Sequence, residues 1–333
     1  MILRILKSSG PLNYFLFLII GILFWIRSLR FPYSYAFFEG ENKSILYTPI
    51  DKVTSGFPII QVFLSLIIVL FVAFLIQQIS SRYGLIKLRT KLPIVIYIII
   101  AGGFTTMHTL HPVFFGAIFL LVGIHSLFSI FNNSNPETDI FNAGLFLAVG
   151  SLFYFNLVVI LPAFLIAISV LRRERKWREY LILMIGFIIP VLFAFSYAFF
   201  TDQLNELFLT FLKNIITPVN HFKSNYALQG FLALLVFLTF IGSIKMMQQY
   251  DSKKVSIRKY YLVLFIIFIF SMLSFIFVPA ASQEMLIITV LPVTFLISNL
   301  FASIESVFWR ELLVTLLLAT AIFMQFADKL IPY

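Results

Sequence analysis

The chain has 333 residues, 61% of them hydrophobic and only 11% charged, with 24 Lys and Arg against 14 Asp and Glu. A soluble domain carries about 25% charged residues, so most of this surface does not face water, and no polar stretch is long enough for a separate soluble domain. The net charge of +10 belongs with basic loops on one membrane face and not with a nucleic-acid partner, and the lack of cysteine excludes disulfides, thiolate metal sites and thiol catalysis.

These bounds predict an all-α polytopic transmembrane helix bundle, a single integral membrane domain over residues 1–333. A span needs roughly 20 apolar residues. Basic residues precede the first apolar run and no small-residue cleavage site follows it, so Leu12–Leu29 reads as a retained first span. A polar connection covers Arg30–Gly56, and Phe57–Ser80 is the second span. After the basic SRYGLIKLRTK comes Leu92–Phe104, too short to cross without Thr105–Leu110. Pro112 opens Val113–Phe131, and the turn NNSNPETDI follows.

Phe141–Leu171 holds two apolar segments around Phe155 and Asn156. With Gly144, Gly150 and Pro162 inside, it reads as a pair of short helices, broken or re-entrant, whose irregular backbone must be buried in protein. The basic run RRERKWRE separates it from Tyr180–Phe200, which Pro190 interrupts. The connection Thr201–Leu228 contains LNELFLTFLKNII, with Leu204, Leu207, Phe208, Phe211, Leu212 and Ile215 at helical spacing. That is an external amphipathic helix lying on the membrane surface. Gln229–Met247, Tyr260–Val278, Leu286–Phe301 and Val307–Phe326 complete about eleven membrane segments.

Charge sets the orientation. With the N-terminus inside and the segments alternating, the inner loops take Arg4 and Lys7, the SRYGLIKLRTK and RRERKWRE runs, and the basic linker before Tyr260. The outer loops keep only Arg27, Arg30, Lys43, Lys52, Lys213, Lys223 and Lys329, while the acids divide evenly. The positive-inside rule therefore predicts N-terminus in and C-terminus out, with both long polar connections external.

The first external connection carries Glu39 and Glu41 in an FEGEN stretch. A carboxylate close to the membrane surface serves as a general base toward an acceptor hydroxyl, and Arg27, Arg30 and Lys43 nearby suit a lipid phosphate. The second connection adds Asp202, Glu206, Lys213, His221 and Lys223. His108 and His111 share a helical face, but no third ligand is indicated, so they read as structural residues and no metal or cofactor is assigned. His125 is the ionisable residue near mid-span and reads as a satisfied neutral imidazole.

The run Asn142–Pro190, with its early glycines, paired short helices, RRERKWRE linker and GFIIP, resembles an uncharacterised family of polytopic inner-membrane proteins from Bacteroidota. The layout also resembles type C glycosyltransferases, which use polyprenyl-phosphate-linked sugars and carry an acidic motif in the first external loop. Only Glu39 and Glu41 match that motif's position; the family usually has Asp there, often as an adjacent pair, and here the glutamates flank Gly40. The resemblance implies an envelope-assembly enzyme of the bacterial inner membrane, working on a lipid-linked sugar at the periplasmic face. The alternatives are a non-catalytic subunit or scaffold of an envelope complex with protein partners, and a carrier for a lipid or small solute.

Overall fold

The computed structural model of the chain describes residues 12–37, 43–86, 90–131, 133–172, 176–217, 225–249 and 253–330. Glu39 and Glu41 lie outside the described residues, as do Arg4, Lys7, Lys87, Arg89, Arg173, Arg175, His221 and Lys223. Among the described residues every regular element is a helix. In chain order they are α1 (Leu12–Arg30), α2 (Thr48–Thr54), α3 (Pro58–Arg82), α4 (Leu92–Gly103), α5 (Pro112–Ser129), α6 (Glu137–Phe153) and α7 (Leu161–Leu171). Then come α8 (Trp177–Phe200), α9 (Leu204–Ile216), α10 (Tyr226–Gln248), α11 (Val255–Phe277), α12 (Met285–Ser303) and α13 (Val307–Leu330).

Seven of these are long and apolar enough to cross a membrane: α3, α5, α8, α10, α11, α12 and α13. Shorter apolar helices are α4 and the stretch Phe155–Leu171, in which a 3-10 turn leads into α7. The chain is a multi-pass membrane protein. Helix limits follow the apolar runs, with α11 starting five residues before Tyr260, α13 running on to Leu330, and two further differences. α6 starts at Glu137, inside the stretch read as a turn, because Glu137 and Asp139 fall in its first turn, where carboxylates complement the helix dipole. The short α2 forms within the first polar connection, with Pro49 in its first turn.

Two helices lie at the centre. Every residue of α4 is buried, and α12 is buried from Met285 to Phe301. α4 packs on α1, α3, α12 and α13, and α12 packs on α4, α5, α10 and α11. α12 is polar enough to mark it out: Thr289, Thr294 and Ser298 each bond the carbonyl one turn earlier, so their hydroxyls are satisfied without water. The outer helices instead expose large apolar side chains such as Leu23, Phe63, Phe193, Phe237 and Phe323, as lipid contact requires.

Lipid tails are as apolar as leucine, so close packing, not the hydrophobic effect, holds such helices together. Glycine makes the closest approach between α6 and α8. A Cβ on Gly144 would sit 2.2 Å from Leu183 O, and one on Gly186 would sit 2.3 Å from Phe141 O. The two backbones touch there.

The basic end of the bundle is latched through carbonyls. Arg172 pairs with buried Glu179 at 2.9 Å and donates to Asn133 O at 3.0 Å, joining the linker after α7 to the linker after α5. Lys259 Nζ donates to Leu171 O at the end of α7, Tyr260 to Phe128 O near the end of α5, and Tyr261 to Leu85 O after α3. His125 sits in the last turns of α5 at this end, not at mid-span, with Tyr83 OH donating to its carbonyl at 2.8 Å.

Gly144→Ala and Gly186→Ala should each lower the thermal midpoint of the purified protein, by the equivalent of about 1–3 kcal/mol of overpacking. Gly230→Ala is the control: nothing lies within 4 Å of its added methyl group, and its midpoint should hold or rise.

Candidate functional site

The C-terminal ends of α1, α4 and α13 meet at the opposite end of the bundle. Phe24 on α1 lies over Gly102, where an added Cβ would come within 2.6 Å of its ring. Arg27 donates to Gln325 O on α13, and Gln325 Nε2 donates to Gly102 O at the end of α4. Along the rest of their length α1 and α13 leave a groove of about 910 Å³ between them, floored by Val95 and Ile99 of α4. Its walls are aliphatic and aromatic, including Leu23, Ile26, Leu318, Ile322 and Phe326, and Arg27, Arg30 and Phe31 close one end. Arg27 and Arg30 fall in the last turn of α1, where a cation complements the helix dipole. Arg30 is exposed, its guanidinium 5.7 Å from the Phe31 ring centre.

The structure therefore brings Arg27 and Arg30 to one site. Lys43 is not among the groove-lining residues. Its ammonium lies 3.4 Å from Glu206 of α9, and both side chains are more than half exposed. α9 leans on α8 through Phe211, which stacks on Phe195 with ring centres 5.6 Å apart and meets Phe155 edge-on. Leu204, Phe208, Leu212 and Ile215 on α9 stay exposed, the apolar face expected of a helix at a membrane surface.

Behind the groove lies a buried polar layer. His108 stacks on Trp25 with ring centres 3.9 Å apart. Its Nε2 faces Gly102 O at 3.2 Å, and a carbonyl only accepts, so the proton is on Nε2 and Nδ1 accepts from Ser28 Oγ at 3.1 Å. Trp25 Nε1 donates to Ser65 Oγ, which lies 2.7 Å from His108 O. His108 is thus a neutral, fully paired imidazole that ties α1, α3 and α4 together.

His111 is placed differently. It caps α5, its Nδ1 accepting from Val113 N at 3.1 Å, and its ring meets Tyr35, Phe37 and Tyr154. The ring is fully buried and lies within reach of the Glu284 charge. Glu284, 1% exposed, stands at the start of α12. Its Oε1 accepts from Ser282 N at 2.8 Å and from Tyr154 OH at 3.3 Å, and Asn156 Nδ2 donates to the same hydroxyl at 3.4 Å. Among the described residues no three His, Cys, Asp or Glu side chains gather as a metal site.

A family model described as a family of unknown function, DUF6427, matches residues 46–333. The chain belongs to this family. No curated protein and no solved structure matches it. In this DUF6427 chain the match takes in His108, His111, Tyr154 and Glu284, and it begins after α1, so Arg27 and Arg30 precede it.

Sequence reasoning missed Glu284. Its signal was present: it is the lone acid between Pro279 and the end of α12, immediately before a long uncharged and mostly apolar run. A carboxylate at that point either faces water or is buried with partners, and only the fold distinguishes the two.

Proposed function

We propose that this protein, set in the bacterial inner membrane, seats a phosphate-bearing lipid in the α1–α13 groove, with Arg27 and Arg30 on the phosphate. The observation that carries this reading is the pairing of an apolar trough with guanidinium groups at one end. Aliphatic chains suit the walls, and the forked N–H groups of arginine suit a phosphate better than a point charge does. Exposed apolar surface on both walls, at Leu23, Ile26, Ile322 and Phe326, opens the groove toward lipid.

Among such lipids a polyprenyl-phosphate-linked sugar accounts best for the acids that follow α1. Glu39 and Glu41 come soon after Arg30 in the chain. A carboxylate there takes the proton of an acceptor hydroxyl as the sugar leaves its lipid phosphate. Lys43, on the same connection and in a solvent-exposed ion pair of little intrinsic strength, is available to the headgroup. On this reading the protein is a type C-like glycosyltransferase of envelope assembly. The lengths of the apolar runs support about eleven membrane segments, and the distribution of Lys and Arg supports an N-terminus in the cytoplasm and a C-terminus outside. The cationic end of the groove then faces the periplasm.

Two measurements test it. Mass spectrometry of the intact purified protein should find a phosphate-bearing lipid, and Arg30→Gln should cut its occupancy on the order of 10-fold, since a charge-assisted hydrogen bond contributes about 1.5–3 kcal/mol. Glu39→Gln combined with Glu41→Gln should abolish the glycan product while lipid binding persists. Unchanged envelope glycans at normal protein levels would leave a lipid-binding scaffold or carrier and remove the transferase reading.

A further inference from the structure

Away from the groove, a second set of buried polar atoms joins the α6–α7 junction to the start of α12. Tyr154 OH donates to Glu284 Oε1, Asn156 Nδ2 donates to the same tyrosine hydroxyl, and Ser282 N donates to the same carboxylate. Asn156 is 3% exposed and Ser282 is 1% exposed. Asn156 Oδ1 and Ser282 Oγ nonetheless have no hydrogen-bond partner among the described residues. Buried polar atoms in folded proteins are nearly always paired, and an orphan costs the desolvation of the group. Two orphaned oxygens, one on the residue that donates to Tyr154 OH and one on the residue whose N–H donates to the carboxylate, point to a ligand.

We propose that Glu284, Tyr154, Asn156 and Ser282 form a binding site for a sodium-sized monovalent cation. All four contribute oxygen: a carboxylate, an amide carbonyl, a phenol and a hydroxyl. Oxygen sets of this kind suit hard cations, and a single acid suits a single charge. Among the described residues no three His, Cys, Asp or Glu side chains gather to make a divalent set. A proton on Glu284 would supply one O–H donor and could pair at most one of Asn156 Oδ1 and Ser282 Oγ, so protonation alone does not satisfy both. A buried water would pair both oxygens, and it differs from a cation in one measurable way: it shows no ion specificity. The cation would clamp the break between α6 and α7 onto the buried helix α12. This inference stands apart from the lipid reading, since none of its four residues lines the groove.

The test uses the full-length protein in detergent micelles, with sodium chloride exchanged for equimolar N-methylglucamine chloride. Sodium should raise the thermal midpoint in a saturable way, as a ligand selective for the folded state must. Asn156→Ala and Ser282→Ala, which remove the orphaned oxygens, should each lose most of that shift, and Glu284→Gln should lose all of it. If Glu284→Gln does not fold, the two alanine variants decide the location. Equal wild-type midpoints in the two salts would overturn the proposal in favour of a structural water. A sodium shift that survives undiminished in both alanine variants would overturn it as well, because the ion would then bind elsewhere.

Discussion

A helix of 12 residues with no exposed side chain sets the terms for the whole bundle. α4 rises about 18 Å, against a hydrocarbon core of about 30 Å, so it ends inside the protein. The chain beyond it, through the 3-10 turn Thr105–Met107 to His111, is irregular backbone, buried apart from the half-buried Thr105 and Thr106. Carbonyls there cannot turn to water and must find donors within the protein. One donor comes from the stretch itself and the others from three separate neighbours. Gly102 O receives His108 Nε2 and Gln325 Nε2, Thr105 O receives Tyr33, and His108 O lies against Ser65 Oγ. α1, α3 and α13 are thereby drawn to one point by the hydrogen-bonding demand of one short helix.

The groove follows from that geometry. α1 and α13 meet where Arg27 donates to Gln325 O, a contact between residues 298 positions apart, and both rest on α4. Away from this point nothing obliges them to close. In water an open apolar trough would be costly, but in a bilayer lipid fills it at little cost because lipid and side chain are equally apolar. The same demand that pins α4 also fixes which end of the trough is polar. Arg27 and Arg30 lie one turn apart at the C-terminus of α1, so they face the layer that satisfies the α4 carbonyls and not the opposite end.

Much of the helix pattern was legible in the sequence, because apolar runs and prolines are local signals. The break at Phe155–Asn156 was legible for the same reason: two runs, each too short to cross, meet at polar and aromatic residues, and the structure has a 3-10 turn there. Glu137 was misread because a Pro-Glu-Thr-Asp string suits both a turn and a helix start, and the apolar residues that decide between them come later. Arg27 and Arg30 were legible as candidates but their groove was not, since no pattern in one dimension shows that the first and last helices are neighbours. Glu284 was invisible as a buried group for a related reason. Its burial depends on Tyr154, 130 positions earlier, and on α12 being enclosed on all sides.

The two ends of the bundle satisfy helix termini by different chemistry. At the basic end, lysine, arginine and tyrosine side chains reach carbonyls released where helices stop: Lys259 to Leu171 O, Arg172 to Asn133 O, Tyr260 to Phe128 O. Cations near helix C-termini are favoured by the dipole whichever way a protein is inserted. The basic residues at this end therefore also hold it closed, and replacing them would cost packing. At the other end a buried carboxylate, an imidazole and a set of hydroxyls take the place of those cations, and Arg27 and Arg30 stand at its margin. Such groups are costly to enclose unless each is paired. Asn156 Oδ1 and Ser282 Oγ nonetheless lack a partner among the described residues, as does Glu179 Oε2 in the latch at the basic end.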